Sequence, residues 1–87
     1  MDLSVQPPRG GDQELGGWSW LPRMVDKARA TYQGNPAAYK HPCSRDHMLL
    51  AELGLTVEDF RGVIESTTTD EQVLEAVLAM RQEKGLA

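Results

Sequence analysis

The densest set of side chains able to do chemistry is His41-x-Cys43-x-x-x-His47, with Asp46 inside it and Lys40 beside it. Imidazole nitrogen and thiolate sulfur suit zinc, and Asp46 would supply a fourth ligand. The spacing is unlike a zinc motif. His41 and Cys43 fall in a loop, His47 lies one turn into a helix, and no C-x-x-C pair stands elsewhere. His41, Cys43 and His47 are therefore weak metal candidates, and no cofactor is expected. As a nucleophile, Cys43 sits just before a helix start, where the dipole favours a thiolate. His41 or His47 would take its proton. No glycine-rich loop accompanies it to hold an oxyanion. On the plainest reading Cys43 is a small buried hydrophobe, Ser44 caps the helix, and both histidines lie on the surface.

A second set joins Arg23, Lys27 and Arg29 with Asp26. Asp26 would pair with Arg23 or Arg29, or with Arg45 across the bundle. Arg23 follows Pro22 at a helix N-terminus, where a cation is unfavourable. Such a local conflict points to a binding role, here an anion held with Lys27. The plain alternative is a solvated helix face. Trp18 and Trp20 alternate, so an extended backbone points them to opposite sides. One would pack on the following helix, leaving the other to anchor a partner or second subunit. The plain alternative buries both. Trp18, Trp20, Arg23, Asp26, Lys27 and Cys43 are thus the candidate binding residues.

The elements that position these groups read as helices. Pro22 suits a first helical turn. Leu21, Met24, Val25, Ala28 and Tyr32 then form one apolar stripe. Gly34 and Pro36 end that helix, expected over residues 21–33. Leu21 or Ser19 would cap it. Ser44 would cap a short helix to Leu53, stopped by Gly54. Thr56 with Asp59, and Thr69 with Gln72, have capping-box spacing. They open helices to about Ser66 and over residues 70–84. The third would bury Phe60, Val63 and Ile64. The last presents Val73, Leu74, Val77, Leu78 and Met80. His41-Pro42 should be extended. Residues 1–15 read as an extended arm with Leu3 and Val5 as anchors, the competing reading being a disordered arm, and residues 12–15 read as one helical turn. No segment shows a convincing strand pattern. The fold class is all-α: a bundle of about four helices with an extended N-terminal arm, in one domain over residues 1–87.

Composition narrows the function classes. At 87 residues with five aromatics, the core is small, and self-association would hide leftover apolar surface. Net charge is −4 and unevenly placed. Residues 1–47 hold six Lys/Arg against five Asp/Glu; residues 48–87 hold three against eight. An acidic chain lacks the basic surface that drives nucleic-acid binding. One cysteine excludes an internal disulfide. The N-terminus has no secretory pattern, and no apolar run is long enough to span a membrane. A soluble cytoplasmic protein is expected.

The run Leu21-Pro22-Arg23-Met24-Val25-Asp26-Lys27-Ala28-Arg29-Ala30 resembles the signature of a small bacterial family, domain of unknown function 5069. Asp2-Leu3, Pro7-Pro8-Arg9, Gly16-Gly17, Cys43 before Asp46, Leu53-Gly54, Val57-Glu58-Asp59-Phe60 and the run from Thr69 to Leu74 fit the same pattern. Ser44-Arg45 departs from it, standing where a proline-leucine pair is expected. The resemblance spans essentially the whole chain and implies no activity. The sequence therefore favours a small self-associating interaction module that binds itself or another protein. The alternative is a protein binding a small anion, or a small enzyme, using Cys43, Asp26 and the histidines.

Overall fold

A computed structural model describes residues 2–86 of the chain. The element order is β1 (Glu14–Leu15), β2 (Trp18–Ser19), α1 (Leu21–Tyr32), α2 (Ser44–Leu53), α3 (Val57–Ser66) and α4 (Asp70–Glu83). The molecule is mostly helical, as its periodicity predicts, with one small addition. Residues 12–15 form no helical turn. Glu14 and Leu15 instead pair antiparallel with Ser19 and Trp18. Gly16 and Gly17, both at positive φ, make the two-residue loop between them. Two consecutive left-handed residues match the twist of a tight hairpin, which favours glycine at both positions. Two-residue strands are too short to show an alternating pattern.

Helix α1 is the centre of the molecule. It packs on α3, which in turn packs on α2 and α4, while the hairpin lies against α1. Leu21, Met24, Val25 and Ala28 are buried as the stripe predicts, and Tyr32 is half-buried. They join Phe60, Val63, Ile64, Leu53, Val73 and Val77 in one core. The face of α1 expected to be solvated is not. Asp26 and Lys27 are only 6% and 5% exposed, and Arg23 and Arg29 are half-buried. A helix covered on nearly every side must bury its charges in pairs.

The caps correct the boundaries. Trp20, not Leu21 or Ser19, precedes α1, and it adopts a left-handed φ of 73°. Cys43, not Ser44, caps α2. Its thiol accepts from the Asp46 backbone N–H, and the Asp46 carboxylate accepts from the Cys43 N–H. Thr56 with Asp59 and Thr69 with Gln72 form the reciprocal boxes expected. The His41-Pro42 peptide is cis.

The arm lies on the body. Leu3 is buried and its N–H donates to Asn35 O at 3.0 Å, whereas Val5 is exposed and anchors nothing. Leu78, expected to pack, is 47% exposed. No helix among the described residues is long and apolar enough to cross a membrane.

Candidate functional site

The site forms where the N-terminus of α2 meets the middle of α1. Lys27 follows Met24 by three positions and precedes Ala30 by three, so it sits on a buried side of α1. Its Nζ donates to Asp46 Oδ2 at 2.9 Å and to Cys43 Sγ at 3.1 Å. Asp46 Oδ2 also accepts from the Cys43 backbone N–H at 3.1 Å and from His41 Nδ1 at 2.9 Å. One carboxylate oxygen thus gathers an ammonium, an imidazole and a backbone amide. Both Lys27 and Asp46 are almost fully buried, a placement charges tolerate only when paired and hydrogen-bonded. Burial alone would raise the Asp46 pKa. The bonds from His41, Lys27 and the Cys43 N–H outweigh it and hold the carboxyl at about 2. The ionised Asp46 requires a proton on His41 Nδ1, which fixes the tautomer with Nε2 as the acceptor when the ring is neutral.

Cys43 is the accessible member of the group. It is half-buried, and it is a free thiol. Burial and, to a smaller extent, the negative charge of the Asp46 carboxylate push its pKa up. The Asp46 backbone N–H and the Lys27 ammonium push it down further, so the thiol lies below its ordinary 9.0. The cause is general: a helix N-terminus and an adjacent cation both favour the thiolate.

His41 is a buried member of the cluster, not a surface residue. Its side chain is fully covered, edge-on to Tyr32 with centroids 5.7 Å apart and tilted against Phe60 at 6.0 Å. Its Nε2 is buried without a hydrogen-bond partner, as are the Tyr32 hydroxyl and Thr31 Oγ1. Burial raises the Tyr32 pKa, against a smaller opposing effect of Arg61 stacked on its ring. His47 is exposed on α2, away from His41's buried setting. Among the described residues, no three His, Cys, Asp or Glu side chains are placed to hold a metal ion. Lys40 is exposed and takes no part.

The basic residues of α1 do not converge into one anion patch. Lys27 faces inward to Cys43 and Asp46. Arg29 donates to the Ile64 and Thr67 carbonyls, which closes the end of α3. Arg23 donates to Arg9 O at 3.3 Å and lies over the Tyr39 ring.

Asp26 pairs with none of Arg23, Arg29 or Arg45. Its partner is Arg9, from the arm. The Arg9 guanidinium meets Asp26 bidentately, with both contacts at 3.0 Å, and its backbone N–H donates to Asp26 Oδ2 at 2.8 Å. The same guanidinium forks onto Asp70 at the start of α4. Arg9 holds the Asp70 carboxyl below its usual range, and the two carboxylates raise the Arg9 pKa. The arm, α1 and α4 therefore share one fork-and-fork contact. Pro7-Pro8-Arg9 carried no periodic signal that could have shown this partner.

Both tryptophans are half-buried against the core, and Trp20, at a φ of 73°, is not in the extended backbone that the alternation assumed. Each lies under a guanidinium, Trp20 under Arg45 at 4.4 Å and Trp18 under Arg81 at 5.1 Å. Trp18 also walls a groove of about 670 Å³ together with Glu75, Leu78, Ala79, Arg81 and Gln82.

Of the sequence candidates, the structure brings together Lys27 and Cys43, and joins His41 and Asp46 to them. It sends Asp26 and Arg23 to the arm, and places the tryptophans at the hairpin. No curated protein matches the chain, and no solved structure does. A family model described as a domain of unknown function (DUF5069) matches residues 5–86, and the chain belongs to that family.

Proposed function

We propose that the chain works through a Cys43 thiolate that attacks small electrophilic or oxidising molecules. The observation that carries this reading is the Lys27 ammonium 3.1 Å from Cys43 Sγ. A cation buried at that distance is an unusual neighbour for a cysteine whose only task is packing. Asp46 orients the ammonium, and His41 and the Cys43 N–H complete its carboxylate. The thiolate is favoured by charge and by the α2 N-terminus rather than by a histidine base. His41 Nδ1 is engaged by Asp46, and His47 lies outside the group. A cytoplasmic setting suits the proposal, since it keeps a single thiol reduced. The test is the rate of Cys43 alkylation by iodoacetamide at neutral pH. It should exceed that of an unstructured cysteine peptide and vanish in Cys43→Ser. A rate equal to or below the peptide's would sink the reading.

A second reading, an interaction module that self-associates, is favoured by a separate observation. The groove beside Trp18 is mostly apolar, and Leu78 stands exposed in its wall. A second copy of the chain would cover it, in keeping with the small core. Sedimentation at micromolar concentration should then show a dimer that Leu78→Asp dissociates. A wild-type monomer at those concentrations removes this reading.

A further inference from the structure

We propose that Lys27 and Cys43 form an oxidative modification site, in which a peroxide converts the pair into a sulfur–nitrogen crosslink between α1 and the start of α2. The inference rests on the thiolate reading of Cys43 and assigns a fate to the oxidised sulfur.

The chain has one cysteine, so no second thiol of the same molecule can capture an oxidised Cys43. The side-chain nitrogen that touches the sulfur is an amine, Lys27 Nζ at 3.1 Å. It comes from a different helix and is held in place by Asp46 at 2.9 Å. Cys43 is half-buried, open enough for a molecule as small as a peroxide, while Lys27 behind it is buried. The oxidant therefore meets sulfur first and the amine waits within contact.

The step balances in two stages. The thiolate attacks one peroxide oxygen; the O–O bond breaks, and after one proton is taken up the products are a sulfenic acid and water. Sulfur loses two electrons and the peroxide gains them. The Lys27 amine, its extra proton passed through the Asp46 carboxylate to solvent, then attacks the sulfenic sulfur. An S–N bond forms, the S–O bond breaks, and the oxygen leaves as a second water carrying an amine hydrogen. This stage is redox-neutral, and its backbone-nitrogen counterpart is an established fate of sulfenic acids. Relative to the reduced chain, the product has lost two hydrogens and gained no oxygen. An external thiol reverses it by attacking the sulfur and releasing the amine. The crosslink removes the Lys27 charge and leaves Asp46 with His41 and the Cys43 N–H.

The full chain is treated with a small excess of hydrogen peroxide, and its intact mass and tryptic map are taken without reductant. The proposal expects a monomer lighter by two hydrogens, restored by dithiothreitol. A loss of that kind in a monomer with one cysteine cannot be a disulfide. Trypsin should fail to cut after Lys27, and residues 24–29 should emerge joined to residues 41–45. In Lys27→Arg the same treatment should stop at a sulfenic acid trapped by dimedone. A wild-type product that keeps its added oxygen, with cleavage after Lys27 intact, overturns the crosslink and leaves the reactive thiolate standing. Loss of two hydrogens in Lys27→Arg as well would assign the bond to another nitrogen and overturn it too. A thiol that peroxide leaves untouched overturns the crosslink and the thiolate reading together. The wild-type map decides even if the variant does not fold.

Discussion

Lys27 Nζ on α1 touches Cys43 Sγ at the cap of α2, 3.1 Å away, while holding Asp46 at 2.9 Å on its other side. One buried ammonium therefore serves a packing contact between two helices and the charge state of a thiol. Replacing it separates the two roles. Lys27→Met keeps much of the stem volume but leaves Asp46 with His41 and one backbone N–H. Breaking a buried ion pair costs about 3–5 kcal/mol when the remaining charge is unpaired. Asp46 keeps two partners, so we expect about 2 kcal/mol, read by urea denaturation.

Asp46 also sets an acid limit on the fold. Its pKa is about 2 in the folded chain against an ordinary 3.8, so folding favours the ionised form. The stability this gives is complete above the unfolded value. It is lost as pH falls from about 4 through about 2. Asp46→Asn should flatten the acid branch of the stability curve in that window while lowering stability at neutral pH. An unchanged acid branch would show that other carboxylates carry it.

Arg9 fastens the arm. Arg9→Ala leaves Asp26 buried without its bidentate partner and frees Asp70. The Asp26 side chain is 8% exposed, whereas Arg9 and Asp70 are about one-third open, so the Asp26 half of the contact dominates. We expect a loss of about 2 kcal/mol and faster amide exchange at Leu3, whose N–H bonds to Asn35. Arg9→Ala with Asp26→Asn should cost less than the two single changes added together.

The hairpin loop gives a pair of substitutions with unequal costs. Gly16 and Gly17 both have positive φ, so alanine at either is strained by about 1 kcal/mol. A Cβ at Gly16 would also lie 2.5 Å from Leu74 Cδ1, whereas one at Gly17 meets nothing within 4 Å. Gly16→Ala should therefore destabilise more than Gly17→Ala, by about 1 kcal/mol or more, unless the Leu74 side chain turns away.

The features legible in the sequence were those that repeat at a helical period or obey cap chemistry. The stripe from Leu21 to Tyr32 and the boxes at Thr56 and Thr69 fixed three helices closely. Cys43 and Lys27 were both visible as candidates, but as members of separate sets. Their meeting depends on how α1 crosses the start of α2, and spacing carries no such information. Asp26 and Arg9 are 17 residues apart with no shared periodicity, so their pairing was equally hidden. Ser44 looked the better cap, since a hydroxyl usually outranks a thiol there. The structure uses Cys43 because its N–H and thiol both face Asp46, the residue that anchors Lys27 and His41. The charged face of α1 is covered for a related reason: charges at helical spacing mark a surface only where no partner element lies over them.

Titrating the ultraviolet absorbance of the thiolate shows whether Lys27 shapes the charge state of Cys43. Wild type is compared with Lys27→Met, each corrected by its Cys43→Ser counterpart. The wild-type midpoint should lie below the ordinary 9.0, and it should rise once the ammonium is gone. A wild-type midpoint at or above that value, or one that Lys27→Met leaves in place in a folded protein, would contradict a thiolate shaped by Lys27.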